Sequence, residues 1–123
     1  MRNDSNLKAL RPLIDTEDKT TTEIEKFQNE VLRPILKFQH SLLEIEVLKN
    51  PLIEKLLKQE LTSERKRLLV KGIIIKTEIK YQLIGQITGF LTNTEYQFYY
   101  SNKKEIDKRI FAMLLDRVLS IDI

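Results

Sequence analysis

Few side chains in this chain have the type and spacing to do chemistry. His40 is the only histidine, and there is no cysteine. Glu44, four residues on, would share a helix face with it, so its carboxylate could orient the imidazole or share a metal ion. A metal site normally takes three or more protein ligands, and no second cluster accompanies this pair. A solvent-facing or capping histidine is the plainer reading. Arg33 precedes Pro34, and a proline inside a helix frees a backbone carbonyl close to Gln28 and Asn29. A polar pocket is one outcome; pairing of Arg33 and Lys37 with Glu30 on a solvated face is the other. Arg33, His40 and Glu44 make up the candidate polar site. Acid–base catalysis would have to rest on scattered Glu, Asp and Tyr residues with no paired constellation. The reading therefore leans away from an enzyme, and no catalytic residue, cofactor or metal is assigned.

Two further stretches suit contact surfaces. Tyr96, Phe98, Tyr99 and Tyr100 form the densest aromatic cluster. Tyrosine buries ring area while its hydroxyl stays paired, which favours interfaces as well as the end of a helical core. Residues 49–80 carry nine Lys or Arg against four Glu and hold most of the basic excess of a chain with net charge +3. The run Glu64 to Arg67, with Lys71, Lys76 and Lys80, could meet a phosphate backbone. These residues spread around a helical wheel, however, and no helix-turn-helix or aromatic-interleaved RNA motif accompanies them. Weak nucleic-acid binding by residues 49–80 is the alternative function, and a solvated face the plainer one.

The element that positions these residues is the stretch from Thr22 to Leu48. Ile24, Phe27, Val31, Ile35, Phe38, Leu42, Ile45 and Leu48 recur at gaps of three and four, one face of a helix roughly 40 Å long. Thr22 and Glu25 form a capping box at its start. Pro34 predicts a kink rather than a break, because the apolar period continues across it. Leu32, Leu36, Leu43 and Val47 form a second stripe, and two apolar faces on one helix need two covers. A second copy of the chain is the expected source of the extra cover. The candidate interface is therefore Leu32, Leu36, Leu43 and Val47, with Tyr96, Tyr99 and Tyr100, and a homodimer is expected.

Later signals complete an all-α fold. Asn50-Pro51 stops one helix and starts another, running to about Glu60. A third helix is expected from Ser63 toward Gly85 or Phe90; the helix formers around Ile73-Ile74-Ile75 argue against a strand there. Gly85 and Gly89 would allow close helix approach or mark a loosened end. Thr92 and Glu95 cap a short helix with the tyrosines, and Asn102 with Glu105 caps the last helix, about Lys103 to Ser120. The expectation is an antiparallel bundle of three long and two short helices spanning 22–123, the first kinked at Pro34. Residues 1–21, with a Leu7–Ile14 apolar cluster and a polar link over Asp15 to Thr22, form a flexible or loosely docked leading segment.

Hydrophobic residues at 41% and charged residues at 32% suit a single globular domain of 123 residues. The first ten residues have no apolar core of signal-peptide length, and the uncharged run Tyr81 to Thr94 is too short to span a bilayer. No membrane association and a cytoplasmic location are expected. The function class this supports is association with itself or with a partner protein.

The stretches Glu25-Lys26-Phe27-Gln28-Asn29 and Leu32-Arg33-Pro34-Ile35-Leu36-Lys37, together with Leu83, Gly89-Phe90-Leu91-Thr92, Glu95 and Lys108-Arg109-Ile110, resemble a small, uncharacterised, all-helical bacterial protein family. The resemblance spans most of residues 23–120. Some members of the family carry the label "glyoxalase". The resemblance implies an all-helical fold and offers no catalytic motif to transfer. A glyoxalase-type metalloenzyme of the βαβββ kind places paired His and Glu ligands on strands, and this chain has one His and no strand pattern.

Overall fold

The computed structural model describes residues 3–11, 22–76 and 78–121. Of the described residues 82% are helical, and no strand occurs among them. The helices are α1 (Asp4–Ala9), α2 (Glu23–Phe27), α3 (Arg33–Leu48), α4 (Pro51–Leu57), α5 (Ser63–Lys76), α6 (Ile79–Thr88), α7 (Asn93–Ser101) and α8 (Lys103–Leu119). A π-helical segment, Gln28–Leu32, joins α2 to α3 without a break.

Most helix starts are set by the residues that sequence singles out. The Thr22 hydroxyl accepts from the Glu25 amide at 3.1 Å. The Asn50 side chain accepts from Leu52 and Ile53 with Pro51 at the first helical position. Thr92 and Glu95 form a complete capping box. Asn102 departs from expectation. Its side chain makes no bond to the start of α8 and instead donates to the Phe98 carbonyl at 3.0 Å, closing the end of α7.

The expected third helix is divided. The segment Ile73 to Ile75 is helical, as expected, but α5 ends at Lys76 and α6 restarts at Ile79. A run of three β-branched residues just before the break lowers helix propensity there. The further end of α6 is at Thr88, with Gly89 as its cap in an ordinary right-handed conformation. The polar link expected over Asp15 to Thr22 lies, Thr22 excepted, outside the described residues, as does Pro12. Residues 3–11 form α1 and a following turn that touches the corner between α6 and α7 through Arg11.

The first long helix carries the main correction. Pro34 has no amide hydrogen, and just before it the Arg33 amide bonds the Gln28 carbonyl, five residues back rather than four. A π turn of this kind adds one residue to the helical count and rotates everything after it. The face begun by Ile24, Phe27 and Val31 therefore continues inward as Leu36, Gln39 and Leu43, each one position later than the unshifted period, and on to Val47. Leu32, Leu36, Leu43 and Val47, expected to face a second copy, are all buried within this chain. Phe38, Leu42 and Ile45, expected in the core, are 40%, 50% and 51% exposed.

One core joins the helices. α3 packs on α6 and α8, α6 on α8, and α5 on both α4 and α6. Leu32, Ile35, Ile53, Val70, Leu83, Ile87, Leu91, Ile106 and Ile110 have no exposed surface at all. Each such aliphatic side chain contributes about 1.5–3 kcal/mol by leaving water. No helix among the described residues is long and apolar enough to cross a membrane.

Candidate functional site

The α3 helix carries all three members of the expected polar site, but they do not converge. His40 Nε2 lies 3.8 Å from a Glu44 carboxylate oxygen, and both side chains are about two-fifths exposed. The other ring nitrogen, Nδ1, is buried without a hydrogen-bond partner. Among the described residues, no group of three His, Cys, Asp or Glu side chains could hold a metal ion. The pair is thus a solvent-facing contact on one helix.

Arg33 sits two turns earlier, at the start of α3. Its Nε donates to Asn29 Oδ1 at 2.9 Å, a bond within its own helix rather than to Glu30. It lines a cleft of about 360 Å³ with Leu36 and with Met113, Asp116, Arg117 and Ser120 from the end of α8. Neither His40 nor Glu44 lines this cleft. Burial, and then the positive charge of Arg33, push the Arg117 guanidinium below its ordinary value. In the sequence Arg117 stands out only as a cation within the apolar spacing of Met113, Leu114 and Val118. That signal has no partner until the fold supplies Arg33.

The tyrosines divide between core and surface. Tyr99 is buried, stacks edge-on with Tyr96 at 5.3 Å, and donates its hydroxyl to Asp107 at 2.5 Å. Burial, then the Asp107 hydrogen bond, push the phenol up to about 12. Lys103 closes on the same carboxylate at 2.7 Å. Tyr96 and Tyr100 are exposed, Tyr100 on the outer side of α7. Tyr99 therefore anchors α7 to α8, and only the other two are open to a partner.

Several cations of residues 49–80 are engaged inside the fold. Lys66 donates to the Leu57 carbonyl at the end of α4, and Arg67 donates to the Leu119 carbonyl at the end of α8. The Lys80 ammonium lies 4.5 Å from the Phe111 ring centre. Arg65, Lys71 and Lys76 remain exposed.

The most extended exposed apolar feature on one helix is the α3 stripe of Phe38, Leu42 and Ile45. Gln39 Nε2 donates to the Gln86 carbonyl at 3.0 Å, and the Phe38 and Phe90 rings meet at 5.3 Å. Those two contacts set the stripe alongside the last turns of α6, where Gly85 and Gly89 are exposed and a Cβ on Gly85 would meet nothing within 4 Å. The result is an apolar ridge beside a smooth shoulder. No family model, curated protein or solved structure matches the chain.

Proposed function

We propose that this is a cytoplasmic protein, an antiparallel helical bundle that acts by associating with a second copy of itself through the outer face of α3. The observation that carries the reading is the exposure of Phe38, Leu42 and Ile45, three large apolar side chains in a row on a helix whose neighbouring stripe, Leu36, Leu43 and Val47, is buried. Three such residues scattered singly would need no explanation; aligned on successive turns they form a surface that water covers poorly.

An antiparallel two-fold pairing lets the stripe cover itself, with Phe38 of one copy on Ile45 of the other and Leu42 near the two-fold axis. The exposed glycines of α6 leave room for the second helix to approach. A stable interface of this kind buries about 1,200–2,000 Å² in total, more than three side chains supply, so the α6 shoulder has to take part.

Light scattering on a sizing column tests the reading. Wild type is expected to elute with twice the chain mass at micromolar concentration, and Leu42→Glu as a monomer of unchanged helicity. A monomeric wild type at high concentration would falsify the proposal.

A further inference from the structure

A second surface, on the far side of α3 from the stripe, has the makings of a ligand site. The cleft between the first turn of α3 and the last turn of α8 has a volume of about 360 Å³. That falls within the size range of small-molecule sites, which begins at roughly 300 Å³. Two cations from different helices, Arg33 and Arg117, face it together. They repel one another, and that repulsion adds to the burial that already disfavours the charge on Arg117. Among the described residues neither guanidinium has a carboxylate within ion-pair distance, and Arg33 uses only its Nε, toward Asn29.

Two arginines at a helix end commonly serve the helix's own carbonyls. Here that need is met by other groups. The Arg117 carbonyl accepts from the Ser120 hydroxyl at 2.7 Å, and the Leu119 carbonyl accepts from Arg67 at 3.0 Å. The Asp116 and Val118 carbonyls accept from the Ser120 and Ile121 amides. The partial negative charge of the α8 terminus is thus covered, and the Arg33 and Arg117 donors are left facing the cleft.

We propose that this cleft binds a small phosphate monoester, with the phosphoryl oxygens held between the guanidinia of Arg33 and Arg117. A carboxylate fills one guanidinium fork with its two oxygens, whereas a tetrahedral phosphoryl group presents oxygens to two forks at once. Ser120 adds a hydroxyl at the rim. Asp116, also lining the cleft, disfavours a second anionic group and can accept a hydrogen bond from a hydroxyl on the ligand's body. Leu36 and Met113 supply the apolar floor. The site is independent of the dimer surface, since neither Leu42 nor Ile45 lines it.

Amide chemical shifts tracked during titration with glycerol phosphate, inorganic phosphate, acetate and chloride at matched ionic strength test the proposal. Saturable shifts at α3 and the end of α8 are expected with glycerol phosphate and more weakly with inorganic phosphate. Arg33→Gln and Arg117→Gln should each weaken binding roughly tenfold or more, the usual worth of a hydrogen bond to a charged group. If Arg117→Gln fails to fold, the exposed Arg33→Gln decides. Equal shifts with chloride mean charge screening only and overturn the proposal. Binding of acetate as tight as glycerol phosphate, or unchanged affinity in Arg33→Gln, overturns it as well.

Discussion

Arg11 and Glu95 show how much a single buried pair can organise. Glu95 Oε1 receives the Thr92 amide at 2.9 Å and Arg11 Nη2 at 2.7 Å, while Oε2 takes Arg11 Nη1 at 2.9 Å. Arg11 also donates to the Phe90 carbonyl at 2.7 Å. One carboxylate therefore closes a helix cap and holds the leading segment onto the corner of α6 and α7. Burial alone would raise its pKa, but the Arg11 and Thr92 hydrogen bonds and the Arg11 charge outweigh it and hold the carboxyl below its ordinary value. Because the folded value is depressed, the stabilisation is complete above the unfolded value near 4.5 and is lost as pH falls through the folded value. Glu95→Gln should cost about 2–3 kcal/mol at neutral pH, since it leaves a buried guanidinium without its anion. The gap to wild type should narrow in acid, as read by urea unfolding at several pH values. A variant as stable as wild type at neutral pH would refute this account. The cap was legible from Thr92-x-x-Glu95. Its partner was not, because 84 residues separate Arg11 from Glu95, and nothing local marks that arginine. Gln39 was obscure for a similar reason. It is a polar residue inside an apolar stripe, and its purpose appears only when it reaches the Gln86 carbonyl, whose usual acceptance from the Phe90 amide is lost as α6 tightens onto Ile87.

At the scale of the helix, the π segment decides which apolar stripe is core and which is surface. The sequence shows both stripes clearly, and a 3.6-residue period carried through Pro34 assigns them the wrong way round after that point. One added residue turns the helix by about 100°, enough to exchange Leu42 for Leu43 at the core. Pro34 was the local clue: a residue without an amide hydrogen disturbs the hydrogen-bond ladder, and a π turn absorbs the disturbance as well as a kink does. Adjacent leucines therefore give a sharp contrast. Leu43→Ala removes a side chain that is 2% exposed and should cost about 2–5 kcal/mol of folding stability. Leu42→Ala removes one that is half exposed and should change the stability of the isolated chain by about 0.5 kcal/mol or less. Urea unfolding at a concentration low enough to keep the chain monomeric reads both. Equal costs would mean that the stripe is buried after all and that no rotation occurs.

For the molecule as a whole, the all-helical class followed from composition, sparse glycine and proline, and repeated caps. The number of helices did not, because the division between α5 and α6 has no glycine or proline to announce it, and Glu78 precedes α6 without a side-chain cap bond. Which surfaces stay open was also beyond the sequence, since it depends on how far each stripe is rotated when the core closes. Under the proposed pairing, folding and association are coupled: a second copy would cover the apolar residues that the core leaves exposed on α3, and the dimer would add stability with the logarithm of concentration. For a dimer that unfolds to two separate chains, each tenfold increase in concentration adds about 1.4 kcal/mol per dimer. For a folded unit of this combined size, that should raise Tm by about 3–6 °C. Wild type is expected to show this rise in circular dichroism melts over a hundredfold dilution series, and Leu42→Glu is expected to melt at one temperature throughout. A Tm of wild type that ignores concentration would place the α3 stripe in water in the native state and leave its exposure as a simple cost of the π turn.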